Sequence, residues 1–211
     1  MKKKSARNIV ITGASGDLAQ SLIKKLDQDH LFLLSRTLGL PEFPEEIDIL
    51  IHTAGFAIFE RLEDLKVEDI EDMFAVNVLS AIKLTQQLKP KKLVNIASIA
   101  GKIPTEKSNV YAASKAALIH FGEAMRFEGV EVLNVNTGPV RTKFHSENSN
   151  YLQKMGKYVL EVDYLAQKIV DNLEGKRREL TLPWQMMFLD KLRVVFPRTI
   201  DYLGQRFFNY K

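Results

Sequence analysis

The chain has 211 residues, 45% of them hydrophobic and 27% charged, with a net charge of +4 and no cysteine. That length suits one domain with a sizeable core, and the lack of cysteine excludes disulfides, thiolate catalysis and cysteine-ligated metal. The four histidines (His30, His52, His120 and His145) show no metal-ligand spacing, and the modest positive charge lacks the basic stripe with interleaved aromatics that points to nucleic acid.

Lys2, Lys3, Lys4 and Arg7 precede an apolar run that breaks at Thr12 and Gly13. The run is too short for a signal h-region or a membrane span. It reads as a solvated basic tail entering a strand, with the cytoplasm as the expected compartment. Asn8 to Ile11 is that strand. Leu18, Leu22, Ile23 and Leu26 then recur at helical spacing. Further strands are expected after His30, at Ile47 to His52, at 91–98, at 130–136 and at 178–184. Helices are expected from about Val67 to Leu88, around Tyr111 to about Glu128, and from Asp163 to Leu173. Buried strands alternating with amphipathic helices predict an α/β fold, a doubly wound parallel sheet covered on both faces.

In such a sheet ligands bind at the carboxyl ends of the strands, and the chain is richest there. The first strand ends in Thr12-Gly13-Ala14-Ser15-Gly16-Asp17-Leu18-Ala19. Glycines let the backbone turn and approach a phosphate, and the following helix offers free N–H groups to it. An ordinary strand-to-helix turn would look the same. The third run ends in His52-Thr53-Ala54-Gly55, small residues against which a flat cofactor can lie. Ser98 ends the next strand, and Gly138-Pro139 follows the one after.

Tyr111 and Lys115 are four residues apart, so a helix puts them on one face. An ammonium beside a phenol favours the phenolate and lowers a pKa that is otherwise about 10. The alternative is a tyrosine packed on the core and a lysine pointing at water.

Together these segments resemble the short-chain dehydrogenase/reductase family from Asn8 to about Trp184. The resemblance rests on TGASG, on HTAG in place of the usual Asn-Asn-Ala-Gly, on Asn77 in FAVNVLSA, and on Ser98 with Tyr111-x-x-x-Lys115. It implies a Rossmann-like fold and an oxidoreductase that moves a hydride between a nicotinamide cofactor and a carbonyl/alcohol substrate. Tyr111 would exchange the proton, and Lys115 would lower the Tyr111 pKa and hold the nicotinamide ribose. Ser98 would hydrogen-bond the substrate oxygen. Asn77 would interrupt its helix and hold a water linking Lys115 to solvent. Gly13, Ser15, Gly16, Asp17, Leu18, Ala54 and Gly55 would bind cofactor, with Val140 and Thr142 at the carboxamide. Arg36, with Ser35 and Ser15 as helpers, argues for NADP (NADPH) over NAD, since an arginine near the second strand accommodates a 2′-phosphate; a solvated arginine is the alternative. A homodimer or homotetramer is implied. The rival reading is a catalytically idle nucleotide-binding sensor or scaffold.

Two departures matter. The spacing Thr-Gly-x-x-Gly-x-x-Ala is closer to the family's extended branch, although the chain is too short for that branch's larger substrate domain. Between Arg36 and Ile47 only TLGLPEFPEE replaces the usual helix, strand and helix. Pro41 and Pro44 discourage a helix there, and ten residues span at most ~35 Å. A single-domain sheet of six strands follows, in family terms 2-1-4-5-6-7, with a more open adenine pocket and an exposed flank that Phe43 and neighbouring apolar residues, or a partner chain, would cover. Residues 143–161 correspond to a substrate lid, with His145 more readily a surface residue than a substrate contact. Residues 1–184 form the expected domain. Residues 185–211 are a basic amphipathic tail carrying Met187, Leu189, Leu192, Val195, Phe196, Tyr202, Phe207, Phe208 and Tyr210 beside Lys191, Arg193 and Arg198. Such a segment fits peripheral membrane contact, packing on its own domain, cover over the substrate cleft, or burial against a second subunit.

Overall fold

The computed structural model describes residues 5–38, 41–103, 105–144 and 149–207. The basic tail at Lys2 to Lys4, His145, Phe208 and Tyr210 lie outside the described residues. Six strands make one parallel sheet in the order β2-β1-β3-β4-β5-β6. They are β1 (Asn8–Thr12), β2 (His30–Leu34), β3 (Ile49–His52), β4 (Lys92–Ser98), β5 (Glu131–Thr137) and β6 (Glu179–Leu182). This is the sheet expected from the shortened 37–46 segment.

Residue alternation along the strands makes two apolar layers. Ile9, Ile11, Ile51, Val94 and Leu133 meet α1 (Asp17–Lys25) and α6 (Val162–Val170) through Leu22, Leu165 and Ile169. Val10, Leu50, Leu93 and Val132 face the other way. There they meet Leu84 and Leu88 of α3 (Ser80–Leu88) and Phe121 and Met125 of α4 (Asn109–Met125). Residues 41–46 carry no helix, and Phe43 covers the β2 end of this layer with its ring 6.3 Å from that of Phe32.

The long helix expected at 67–88 is continuous but not uniform. It runs as α2 (Val67–Phe74), a π-helical turn (Ala75–Leu79) and α3. Asn77 sits at the middle of the π turn, so the helix is interrupted where expected. After β5 come α5 (Ser149–Met155) and α6. After β6, α7 (Gln185–Val195) and α8 (Pro197–Phe207) pack on one another. No helix among the described residues is long and apolar enough to cross a membrane.

Candidate active site

The carboxyl ends of β1, β3, β4 and β5 open into a cavity of about 350 Å³. At its floor the β1 and β3 loops touch. Gly13 takes φ +63°, and a Cβ there would lie 2.8 Å from the Ala54 backbone, so a larger residue would force the loops apart. Thr12 ties the same loops, its Oγ1 accepting from Ala54 N at 3.1 Å while its carbonyl accepts from the Thr53 hydroxyl. Gly16 caps α1, with its N–H on Gly13 O at 2.9 Å. Ser15, Gly16, Asp17 and Leu18 then line the cavity at the amino end of that helix, where backbone N–H groups favour an anion. Asp17 also accepts the Lys143 N–H at 2.8 Å, fastening the loop after β5 across the cleft.

Ser98, Tyr111 and Lys115 line the same cavity, and all are buried. The Ser98 hydroxyl accepts from Ala100 N at 3.1 Å and donates to Thr137 O at 3.4 Å. Lys115 is 4% exposed, so the reading in which it points at water does not hold. Its Nζ donates to Ile96 O at 3.0 Å and stands 5.8 Å from the centroid of the Tyr111 ring. Burial pushes the Lys115 ammonium down to about 8.

Asn77 lies behind the cavity rather than in its lining. Its Oδ1 accepts from Phe56 N at 3.0 Å, and its Nδ2 donates to Phe56 O and to Ser114 Oγ, both at 2.9 Å. Ser114 in turn donates to Tyr111 O at 2.8 Å. Asn77 thereby joins the β3 loop to the helix that carries Tyr111 and Lys115. Gly55 fits this corner because a Cβ would lie 3.0 Å from both Asn77 Oδ1 and Lys115 Nζ.

His52, the first residue of HTAG, is buried and hydrogen-bonds Thr85 Oγ1 through Nε2 at 3.3 Å, while its buried Nδ1 has no partner. Burial, and less strongly the Lys115 charge, pushes it down to about 3 against a bond to Ala81, so it is neutral. Val140 and Thr142 line the cavity from the β5 side. That loop is held by Gly138 N on Leu182 O at 2.6 Å and Leu160 N on Pro139 O at 2.9 Å.

Ser35 and Arg36 are not in the cavity lining. They follow β2, whose last carbonyl, Leu34 O, accepts Ala14 N of the glycine loop at 3.0 Å. Arg36 is exposed there, and Ser35 Oγ is 3.0 Å from Thr37 Oγ1.

Two lining residues escape the sequence reading. The Phe59 ring lies 5.6 Å from Tyr111 and the Phe144 ring 5.9 Å from it, with 6.5 Å between the two phenylalanines. With Ile99 and Ile103 they make that side of the cavity apolar. The cues in the sequence are an apolar FAIF directly after HTAG, in a loop, and the place of Phe144 in the 143–161 lid segment. No cluster of acidic and histidine side chains able to hold a metal occurs among the described residues.

Comparison with known proteins identifies the family and the fold. The family model described as short chain dehydrogenase matches residues 40–153. An uncharacterized oxidoreductase of Schizosaccharomyces pombe is 29% identical over 179 residues, covering 79% of this chain and 73% of its own. An NADP-dependent 3-hydroxy acid dehydrogenase of the same organism is 32% identical over 118 residues, covering 50% of this chain and 46% of its own. A solved short chain dehydrogenase from Burkholderia cenocepacia, in complex with NADP, superposes with a TM-score of 0.80 at 20% identity, covering 96% of this chain and 98% of that one. The chain therefore belongs to the short chain dehydrogenase family of NAD(P)-dependent oxidoreductases.

Proposed function

We propose that the protein interconverts a carbonyl and an alcohol with NADP, using Tyr111 as the acid and base. The observation that carries this reading is the convergence of Ser98, Tyr111 and Lys115 on one cavity, with the Lys115 ammonium buried near the phenol. When bound, the nicotinamide supplies or accepts the hydride. In reduction the Tyr111 hydroxyl gives its proton to the carbonyl oxygen, which becomes the alcohol; oxidation reverses the transfer. The Ser98 hydroxyl orients that oxygen and stabilises the charge growing on it. Below about pH 8 Lys115 is cationic and favours the phenolate that Tyr111 passes through. Asn77 is a positioning residue, holding Ser114 and the β3 loop. Gly13, Ser15, Gly16, Asp17 and Leu18 would hold the pyrophosphate side, Ala54, Gly55, Lys115, Val140 and Thr142 the nicotinamide side. Arg36, with Ser35 and Ser15, would read a 2′-phosphate. Phe59, Phe144 and the isoleucines suit a carbonyl attached to an apolar group.

Tyr111→Phe tests the assignment. Turnover of an apolar ketone or aldehyde should fall about 10²- to 10⁴-fold while NADPH binding is kept. A variant that keeps its turnover would sink the role of Tyr111. The sensor reading is left standing if wild type binds NADPH but no carbonyl substrate is turned over. Titrating NADPH against NADH by fluorescence tests the cofactor preference, and equal affinities would return Arg36 to the solvated surface.

Residues 185–211 form, in this reading, a distinct appendage to a domain of residues 1–184. Met186 of α7 is buried, and Arg193 Nη1 donates to Lys102 O at 3.2 Å, so α7 packs beside the cleft. Its other side exposes Trp184, Phe188, Val194, Val195 and Phe196 near Lys191 and Arg198. This combination supports peripheral contact of a cytoplasmic protein with an anionic membrane. No binding to anionic liposomes at low salt would exclude it. The exposed Leu79 and Phe127 side chains support a homo-oligomer; a monomer mass by light scattering at micromolar concentration would refute that.

A further inference from the structure

A second cavity, of about 280 Å³, lies at the amino ends of β4, β5 and β6, at the opposite end of the sheet from the catalytic cleft. Five cationic side chains line it, Lys92, Arg126, Lys176, Arg177 and Arg178, against one carboxylate, Glu131. Lys92 is buried. Its ammonium donates to Gly175 O at 2.7 Å and stands 3.6 Å from Glu131. Arg126, just beyond α4, donates through Nη2 to Arg178 O at 2.7 Å and to Val132 O at 3.4 Å. Its Nε is buried with no hydrogen-bond partner. Among the described residues no ion pair joins Arg126, Lys176, Arg177 or Arg178 to a carboxylate. Burial, and further the Arg178 charge, holds the Arg126 guanidinium below its usual range, although Glu123 and Glu179 act against this.

A cavity with so many donors and so little counter-charge is complementary to a compact group with several acceptor oxygens and a double negative charge. A phosphate group has both, and guanidinium forks match its geometry. Arg177 Nε also donates to Glu179 O at 2.7 Å, so the cations are steadied by backbone carbonyls while their charge stays largely uncompensated. We propose that this cavity binds the phosphate group of a small soluble ligand, at a site separate from the cofactor cleft. The segment 175–178 leads directly into β6, whose other end meets Pro183 and α7 beside the cleft. An anion there would fix the lower end of that strand.

The test is thermal unfolding of the full chain at saturating NADPH, which occupies the cofactor site, with pyrophosphate as the probe and sodium chloride at matched ionic strength as the control. A hundredfold excess over Kd should raise Tm by roughly 5–10 °C beyond the salt control. The rise should vanish in Arg126→Gln. It should also vanish in the double variant Lys176→Gln and Arg178→Gln, whose exposed side chains can be changed without unfolding the protein. A response no larger than that of sodium chloride, or one that survives the double variant, would overturn the site. Vesicles bearing phosphoinositide separate the sources. If the protein cosediments through Lys176 and Arg178 yet ignores pyrophosphate, the ligand is a membrane headgroup and the soluble ligand is refuted.

Discussion

The proposed catalytic half of the cleft, from the β3 loop through β4 and α4 to β5, and the flank at β2 differ in how many interactions fix each side chain assigned a role. In the catalytic half Asn77 makes three hydrogen bonds, Lys115 is tied to Ile96, and Ser98 is bonded on both sides. These groups are buried, so each unmade bond would be costly. At the flank, Arg36 is exposed and β2 is only partly buried. His30 N donates to Arg7 O and Leu34 O accepts Ala14 N, so alternation turns the N–H and C=O groups of Leu31 and Leu33 outward. No described strand pairs with them. The shortened 37–46 segment thins the β2 edge, the side on which the proposed cofactor would lay its adenine. Chemistry needs fixed geometry, whereas affinity for the far end of a dinucleotide tolerates looseness.

Four substitutions break or sharpen this contrast. Asn77→Ala leaves Phe56 N–H, Phe56 C=O and Ser114 without their partner, and should cost about 3–5 kcal/mol in urea unfolding. A loss under ~1 kcal/mol would show that the catalytic half is less tightly determined than argued. His52 comes next. Its folded pKa of about 3 lies below the unfolded value, so the unfolded chain binds the extra proton between about pH 3 and 6.5. Its contribution is complete above about pH 6.5 and is lost as pH falls towards 3. His52→Asn should lose about 3 kcal/mol less than wild type between pH 6.5 and 4. Superimposable pH profiles would refute the neutral buried imidazole.

The flank should respond more weakly. Phe43→Ala removes a half-buried ring from Phe32 and should cost about 1–2 kcal/mol, with catalytic parameters nearly unchanged at saturating cofactor. A collapse of kcat would couple the two halves. Arg36→Gln should weaken NADPH roughly tenfold and leave NADH as it was, with wild-type stability. Equal loss for both nucleotides would remove Arg36 from 2′-phosphate reading.

Much of the architecture was legible in the chain. Short apolar runs at 8–11, 47–52 and 91–98 read as buried strands, and a ten-residue link with two prolines left no room for another helix and strand. Asn77 in FAVNVLSA marked, through the family resemblance, a break in its helix, and the structure shows that break as a π turn. The spacing of Tyr111 and Lys115 put them on one face. What it left open was which way that face pointed, and burial of Lys115 at 4% exposure decided it. Phe59 and Phe144 were illegible as partners of Tyr111 because they lie in loops 85 residues apart in the numbering, brought together only when β3 and β5 end at one edge. Lys92, Arg126 and the 176–178 run likewise belong to three separate elements and meet only at the sheet's lower end.

By itself, the sequence determined the strand-and-helix alternation, the short link at 37–46 and the Tyr111–Lys115 spacing suited to proton transfer. These follow from periodicity, breakers and local spacing, which are properties of neighbouring residues. The tertiary structure alone decided which groups lose their water, which backbone atoms hold Lys115 and Asn77, and where unpaired cations collect. Those depend on distant segments meeting at the two ends of one parallel sheet.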